Sequence, residues 1–490
     1  MQGSLWNRLW RLLWIVLLLA LVGGVWLLPI SGGVMVIFGE APDAPHWPIV
    51  NLSPASPKPG QMVDLWVTDV QAFPYVKLVV DGASYEPVAW PSASDDTLIW
   101  KWQFVVPEGG ARRAVLYHDC HTGCVEWKRV NLQADYDPPP VDTVPTKLGV
   151  VFANPDRDWH GRSGWVVDLT YARLSNEAYW GINDLAVRVH QANAKGLRVL
   201  VRVDYDQGQS IPPVGDEEAL AKYLAYLRRL ARDDRLGDVY GYILGSSYNS
   251  VDSNTLSQDG PVTPEWYTRV FNGYGEGVFR TDNAVQVMRA ENTSVRVLVG
   301  SVRPWNIDSN GARQYAIDAP WLNYMNTLVA LLDASAQAKA EAGIPLVTPD
   351  GFAVHASGRP EAPELAGRAG AEEPRIDLPR EEWGGAQAGF RIYRDWLDIV
   401  NAYPTTRGLP VYITTVNTYI RDEGVLPAQN YPRGWLTTAL GVIDEEPQVH
   451  ALCWFIDDFP HDTQWDQFSL TQRPDRLADA AAEFDALLKP

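Results

Sequence analysis

From Lys147 onward, short apolar runs alternate with longer segments of helical periodicity. Eight runs predict strands: LGVVFA (148–153), YARLS (171–175), LRVLVRVDY (197–205), VYGYILGS (239–246), RVLVGSV (296–302), DGFAVHA (350–356), PVYITTV (410–416) and HALCWFID (450–457). The segments between several of them carry apolar residues at three- and four-residue spacing, which favours amphipathic helices. Eight repeated βα units predict a (β/α)8 TIM barrel over residues 147–490. A doubly wound sheet is the alternative, but no Gly-rich phosphate-binding fingerprint follows any strand.

Residues 46–133 have a different pattern. Short apolar runs such as MVDLWVTDV and LIWKWQFVVP are separated by clusters of Pro, Gly, Asp and Ser. This spacing predicts a small all-β sandwich. The opening NLSPASPKPGQMVDLWV resembles the first strands of immunoglobulin-like modules on bacterial surface proteins. The stretch ADYDPPPVDTVPT (134–146) is rich in proline and predicts a semi-stiff linker between the two domains.

The first 40 residues have the composition of a membrane anchor. Arg8 and Arg11 precede an uncharged apolar run from Leu12 to Ile30, which is about the length of a transmembrane helix. Basic residues on the N-terminal side predict that this end stays in the cytoplasm. We therefore expect a single-pass protein of the cell membrane with its two larger domains outside the cytoplasm. A cleaved signal peptide is the alternative.

Charge and cysteines restrict the partners. The net charge of −19 argues against a nucleic-acid partner, since phosphate binding needs clustered Lys and Arg. In an exported domain Cys120 and Cys124 are close enough to form a disulfide. A zinc site with His118 and His121, or free thiols, are alternatives, and Cys453 is expected in the core. We assign no metal and no cofactor.

The active site of such a barrel lies at the C-terminal ends of its strands. Polar and aromatic residues stand there, and aromatic faces beside hydrogen-bonding groups suit a sugar. The candidate ligand-binding residues are Arg173, Tyr205, Asn249, Trp305, His355, Asn417 and Trp454. Each has an alternative role: the tryptophans as packing, His355 as a core histidine, and Arg173 as a partner of carboxylates such as Asp204.

From about residue 148 to 470 the chain resembles the glycoside hydrolase barrels of clan A. The resemblance rests on Arg173, on the GLRVLVRVDY strand, on His355, and on CWFIDD with Trp454. It implies an acid/base glutamate after strand four and a nucleophilic glutamate after strand seven. In this chain YILGSSYNS places Ser247 at the first position, and ITT places Thr415 at the second.

Those two replacements bear on catalysis, because glycoside hydrolysis ordinarily needs two carboxyl groups. Hydroxyl groups have no anionic form suited to these roles near neutral pH. A relocated site would have to use other strand-end acids, namely Asp204, Asp206, Asp457, Asp458 or Glu423. These acids could instead cap helices, pair with Arg202 or Arg173, or face solvent, and the stretch DDFPHDTQWDQF could bind calcium.

The sequence therefore favours a membrane-anchored, glycosidase-like protein that binds a glycan or a cell-surface partner protein without hydrolysis. An active glycoside hydrolase that uses displaced carboxylates is the alternative. A third possibility is a structural body that functions through a protein interface.

Overall fold

The computed structural model describes most of the chain. The described residues are 25–30, 33–38, 48–53, 57, 59–92, 98–107, 113–121, 123–132, 144–257, 260–275, 278–280, 282–306, 319–342, 348–358, 380–418, 431–459, 463–473, 475 and 477–489. They form two compact units, Met1–Trp47 and Pro48–Pro490.

In the first unit, strands β1 (Val25–Ile30) and β2 (Gly33–Phe38) form an antiparallel hairpin. The transmembrane helix predicted over 12–30 is therefore wrong for its last six residues, and residues 12–24 lie outside the described part. Pro29 disfavours a helix here, because proline lacks the N–H that a helix interior requires. Among the described residues, no helix has the length and apolar character needed to span a membrane.

Residues Pro48 to Leu132 form two antiparallel sheets. One sheet has the order β3 (Ile49–Ser53), β4 (Met62–Asp69), β7 (Leu98–Val105). The other has the order β6 (Ala83–Tyr85), β5 (Lys77–Val80), β8 (Arg113–His118), β9 (Val125–Asn131). Alternate residues of both sheets share one core, in which Trp100 and Trp102 are fully buried. The predicted β-sandwich is thus present as two packed antiparallel sheets.

The sandwich contacts the barrel at one helix. Strand β3 packs against helix α4 (Ala284–Glu291), and Lys128 of β9 donates to the carbonyl of Ala290 at 3.3 Å. The predicted linker 134–146 ends earlier than expected, because residues 144–146 already belong to the first barrel strand. Residues 133–143 lie outside the described part.

Eight parallel strands close into a barrel. They are β10 (Val144–Val151), β11 (Arg162–Tyr171), β12 (Arg198–Asp204), β13 (Val239–Ser246), β16 (Val297–Ser301), β17 (Phe352–His355), β18 (Val411–Val416) and β19 (Val449–Trp454). A short hairpin, β14 (Tyr274–Gly275) and β15 (Val278–Phe279), lies outside it. The predicted (β/α)8 barrel is confirmed, with closure provided by the pairing of β10 with β19.

Helices surround the strands. They are α1 (Ile182–Ala194), α2 (Glu217–Arg232), α3 (Pro264–Asn272), α4 (Ala284–Glu291), α5 (Pro320–Glu341), α6 (Ile392–Ala402), α7 (Trp435–Asp444) and α8 (Leu477–Leu488). Their apolar faces and the outward strand residues form the larger core. The sequence sets several helix starts: Thr263 and Asn283, for example, accept backbone N–H groups from the first turns of α3 and α4.

One strand was predicted at the wrong place. The second barrel strand is β11, RSGWVVDLTY, and the YARLS segment assigned to it forms a short 3₁₀ turn at Ala172–Leu174. Asp168 interrupts the apolar run of β11, and it is buried because Arg188 of α1 binds it through two nitrogens at 2.8 and 2.9 Å. A charged residue in a buried strand is accommodated by this pairing.

The barrel interior is filled from its N-terminal end. Trp165, Tyr240 and Tyr412 pack edge to face there, with ring centroids 4.9 to 6.1 Å apart. Above them lies an apolar layer that includes Leu200, Ile243, Leu298, Ala353 and Cys453. Beyond this layer is the C-terminal end of the barrel, which we call the barrel mouth.

Candidate functional site

Because side chains alternate along each strand, several polar side chains point into the barrel at its mouth. Leu200 faces the interior, so Arg202 and Asp204 of the same strand face it too. By the same rule Ala353 places His355 at the mouth. Gly245, with φ of +69°, breaks the alternation of β13. Ser246 consequently points to the side of His355.

His355 is the centre of a hydrogen-bonded cluster. Its Nε2 lies 2.7 Å from the Oγ of Ser301 and 3.3 Å from the Oγ of Ser246, and these two hydroxyls are 2.9 Å apart. Burial lowers the pKa of His355 to about 3, and the positive charges of Arg202 and Arg303 contribute. The imidazole is therefore neutral near pH 7, and it can donate or accept one hydrogen bond but is a weak base.

Arg202 and Asp204 form an ion pair beside this cluster. The Arg202 Nε lies 3.0 and 3.1 Å from the two carboxylate oxygens, and a second guanidinium nitrogen also contacts Asp204. Burial raises the pKa of Asp204, and Arg202 opposes the change. Burial and the charge of Asp204 raise the pKa of Tyr171 to about 12, so this phenol remains a hydrogen-bond donor.

The other candidate acids are also engaged. Asp206 pairs with the exposed Arg173 at 2.5 Å, whereas the sequence suggested Asp204 as that partner. Asp457 is fully buried and binds the buried Arg157 at 2.5 to 3.0 Å. Glu423 lies outside the described residues.

Asp458 differs from these acids. It is half-buried, and burial raises its pKa, with Asp457 and Asp466 as nearby negative charges. It lines a cavity of about 270 Å³ with Phe152 and Tyr179 between the loop after β10 and helix α1. This cavity lies beside the barrel wall.

Ser247 and Thr415, the residues at the family's two glutamate positions, are both half-buried at strand ends. Ser247 has φ of +55°, a conformation that is unusual for a residue with a side chain, and its N–H donates to the carbonyl of Ser301 at 2.7 Å. Thr415 pairs with His355 in the sheet. The hydroxyls that contact His355 belong to Ser246 and Ser301.

Several predicted ligand-binding residues are placed in packed surroundings. Asn249 is buried and joins two loops. Its Nδ2 donates to the carbonyl of Arg303 at 3.0 Å, and its Oδ1 accepts from the backbone N–H of Arg303 at 2.8 Å. Tyr205 packs in the core between barrel and helices, and Asn417 is buried after β18. Trp454 is fully buried in the same outer core and donates to the carbonyl of Phe468 at 3.0 Å.

Aromatic residues at the mouth come from positions that the sequence analysis missed. Phe455 belongs to the interior cluster and contacts Trp465 and Phe468, with centroids 5.5 and 5.2 Å away. Trp180 lies 4.9 Å from Tyr171. All of these rings are half-buried. Every second side chain of a strand faces the same side, so the interior position of Cys453 would have selected Phe455 instead of Trp454.

Trp305 is half-buried, and its indole N–H donates to the carbonyl of Gln387 at 3.0 Å. In the structure Cys120 and Cys124 form a disulfide, and Cys453 is a buried free thiol. Within the described ranges, no three His, Cys, Asp or Glu side chains are grouped as metal ligands.

No family model and no curated protein matches the chain. Similar solved structures include a glucosidase from Croceicoccus marinus (13% identity, TM-score 0.41, 71% of this chain and 68% of that one). An endo-1,4-beta-mannanase from Rhizomucor miehei (11%, 0.36, 70% and 94%) and a family 5 xyloglucanase from Paenibacillus pabuli (14%, 0.36, 68% and 92%) also match. At these TM-scores the assignment of the barrel rests on its own strand pairing.

Proposed function

We propose that the barrel mouth binds a glycan and does not hydrolyse it. The observation that carries the proposal is the cluster of Ser246, Ser301 and His355 at the end of strands four to six. It offers hydroxyl and neutral imidazole groups, none of which is the ionisable carboxyl group that hydrolysis ordinarily needs.

The surroundings support the same function. Half-buried aromatic rings, Trp180, Phe455 and Trp465, provide apolar faces. The half-buried Tyr171, Ser247 and Thr415 provide hydroxyl groups for hydrogen bonds. A sugar ring presents both C–H faces and hydroxyls, so it matches this combination. Three of the four described candidate acids support binding over hydrolysis, because Asp204, Asp206 and Asp457 each form an ion pair with an arginine, while Asp458 does not.

Binding and turnover can be separated in one set of measurements. Titration calorimetry with neutral oligosaccharides should give saturable binding, and a panel of aryl glycosides and polysaccharides should give no turnover. Replacing the buried Ser301 by alanine should weaken binding by about tenfold, because it removes the hydrogen bond that positions His355. A matched control is Ser294→Ala, which changes a half-buried serine outside the mouth.

Turnover that disappears in Asp204→Asn or Asp457→Asn, with the variant still folded, would instead establish an active hydrolase with displaced carboxylates. Absence of both binding and turnover would favour a structural body.

We also propose that the N-terminal segment attaches the protein to the cell membrane with the barrel outside the cytoplasm. Arg8, Arg11 and the uncharged run after them support this, as does the disulfide, since such bonds persist in oxidising compartments. Alkaline extraction of membranes and protease accessibility of intact cells test the attachment and the orientation. Release by alkali, or protection from protease in intact cells, would contradict it.

A further inference from the structure

A second cavity lies on the outer side of the barrel, away from the mouth cluster. It has a volume of about 610 Å³ and is bounded by the loop after β11, the start of α1 and the end of α2. This volume falls in the range of small-molecule sites. Its wall includes three arginines, Arg229, Arg232 and Arg235, and no aromatic residue.

Two of these arginines are unengaged. Arg229 and Arg232 are three residues apart on α2, so they share one face of the helix. Both are exposed, and neither side chain has a hydrogen-bond or ion-pair partner among the described residues. Arg235 is fixed in place by Asp233 at 2.6 Å and by the side-chain oxygen of Asn183 at 2.8 Å.

The chain has 60 acidic and 41 basic residues. Several arginines elsewhere in the barrel are paired with carboxylates, as Arg188 is with Asp168 and Arg289 is with Asp350, while others, such as Arg407, donate to backbone carbonyls. An excess of acids makes partners plentiful. Two unengaged guanidinium groups in one cavity therefore indicate a negative group that comes from outside the chain.

The acids in the cavity wall do not fill that role. Asp233 is used by Arg235, and Asp184 accepts the backbone N–H of Tyr179. Glu177 is exposed, and its carboxylate has no partner among the described side chains. Like Asp184 and Asp233 it would repel an incoming anion, but unlike them it has no described partner.

We propose that this cavity binds a small molecule through an oxyanion group, with Arg229 and Arg232 as the binding residues and Arg235 as a third positive charge. The planar guanidinium group forms paired hydrogen bonds with phosphate, sulfate and carboxylate alike. The arginines would recognise the negatively charged oxygens that all three groups share. The rest of the cavity leaves room for the remainder of the ligand. The site is independent of glycan binding, because none of these arginines takes part in the mouth cluster.

Titration calorimetry of the full chain with inorganic phosphate, sulfate and glucuronate, at constant ionic strength, tests the proposal. At least one of the three should bind saturably. The double variant Arg229→Gln/Arg232→Gln should lose at least about tenfold in affinity, since two charge-assisted interactions disappear. Glu177→Gln should bind about two- to threefold more tightly, because a like charge is removed. The anion that binds with the highest affinity identifies the class of ligand.

Arg407→Gln is the matched control, because Arg407 is exposed and lies outside the cavity. It should bind as the unmodified protein does, and thermal unfolding should show that all variants are folded. The proposal is overturned if no probe saturates up to about 20 mM, or if the folded double variant binds with unchanged affinity.

Discussion

His355 and Ser301 are hydrogen-bonded across the adjacent strands β17 and β16, with Nε2 and Oγ 2.7 Å apart. The same nitrogen also contacts Ser246, so three neighbouring strands meet in one polar cluster. Its members are uncharged near neutral pH, which distinguishes it from the carboxylate pair of a hydrolase.

The low pKa of His355 predicts a pH dependence of stability. The folded value is about 3 and the ordinary value is 6.5, so between these pH values the unfolded chain binds the proton and the folded chain does not. The free energy of unfolding should therefore fall as pH falls from about 6.5 towards 3, and this contribution should be constant above about 7. At pH 4.5 it should amount to about 3 kcal/mol.

Urea unfolding of the unmodified protein and of His355→Gln at pH 7.5 and pH 4.5 measures this effect. The variant should lose less stability on acidification than the unmodified protein. Equal losses in the two proteins would show that His355 titrates normally.

Replacement of Asp204 by asparagine should be costly. It leaves the Arg202 guanidinium without its anion at a largely buried position, and the expected loss in the free energy of unfolding is about 3 kcal/mol. Asp206→Asn is the matched control, because its partner Arg173 is half-exposed and the expected loss is below about 1 kcal/mol. Chemical unfolding of both variants tests the difference, and similar losses would contradict the assigned roles.

Asp457 should also be structural. It accepts from Arg157 and from the backbone N–H of Asn154 at 2.8 Å, and Arg157 in turn contacts Asp485 of α8. Asp457→Ala should reduce the free energy of unfolding by about 3 to 5 kcal/mol, because a buried cation loses its partner. Asp485→Ala, at a more exposed position, should cost less in the same unfolding measurement. The reverse order would mean that Asp457 is not the principal partner of Arg157.

Substitutions of Trp454 and Phe455 should have different effects, the first mainly on stability and the second mainly on glycan binding. Trp454 is fully buried in the outer core, so Trp454→Ala should cost about 3 to 5 kcal/mol of stability. Phe455 is half-buried at the mouth, and Phe455→Ala should weaken glycan binding by about five- to tenfold with a smaller loss of stability. Calorimetric binding and thermal unfolding on both variants check this. A larger binding loss in a folded Trp454 variant would reverse the assignment.

Thiol titration should follow the cysteine arrangement. Cys453 is fully buried and burial raises its pKa, while Cys120 and Cys124 are bonded. The folded protein should therefore react slowly or not at all with a thiol reagent. Denaturation should expose one thiol, and denaturation with reduction should expose three. Two further thiols before reduction would show that the disulfide is absent.

The barrel could be predicted because its apolar runs and helical segments repeat eight times along the chain. The second strand could not be placed, because Asp168 interrupts its pattern and the compensating Arg188 lies on the next helix. The partner that makes a buried charge tolerable is a tertiary feature, which local periodicity does not contain.

The candidate site was predicted less well than the fold. His355 was selected correctly as a residue of the mouth, because it ends an apolar strand. Trp454 was taken as a platform, but its side chain points into the outer core. The directions of side chains at strand ends depend on irregularities, such as Gly245 and the register shift between Ile413 and Val416, and these are not visible as hydrophobic periodicity.

The contact of β3 and Lys128 with helix α4 gives the sandwich a mechanical role. The two domains touch directly through α4. A partner that binds the sandwich and holds it in place would therefore also set the direction in which the barrel mouth faces. The orientation of the barrel mouth is then determined by the neighbouring domain.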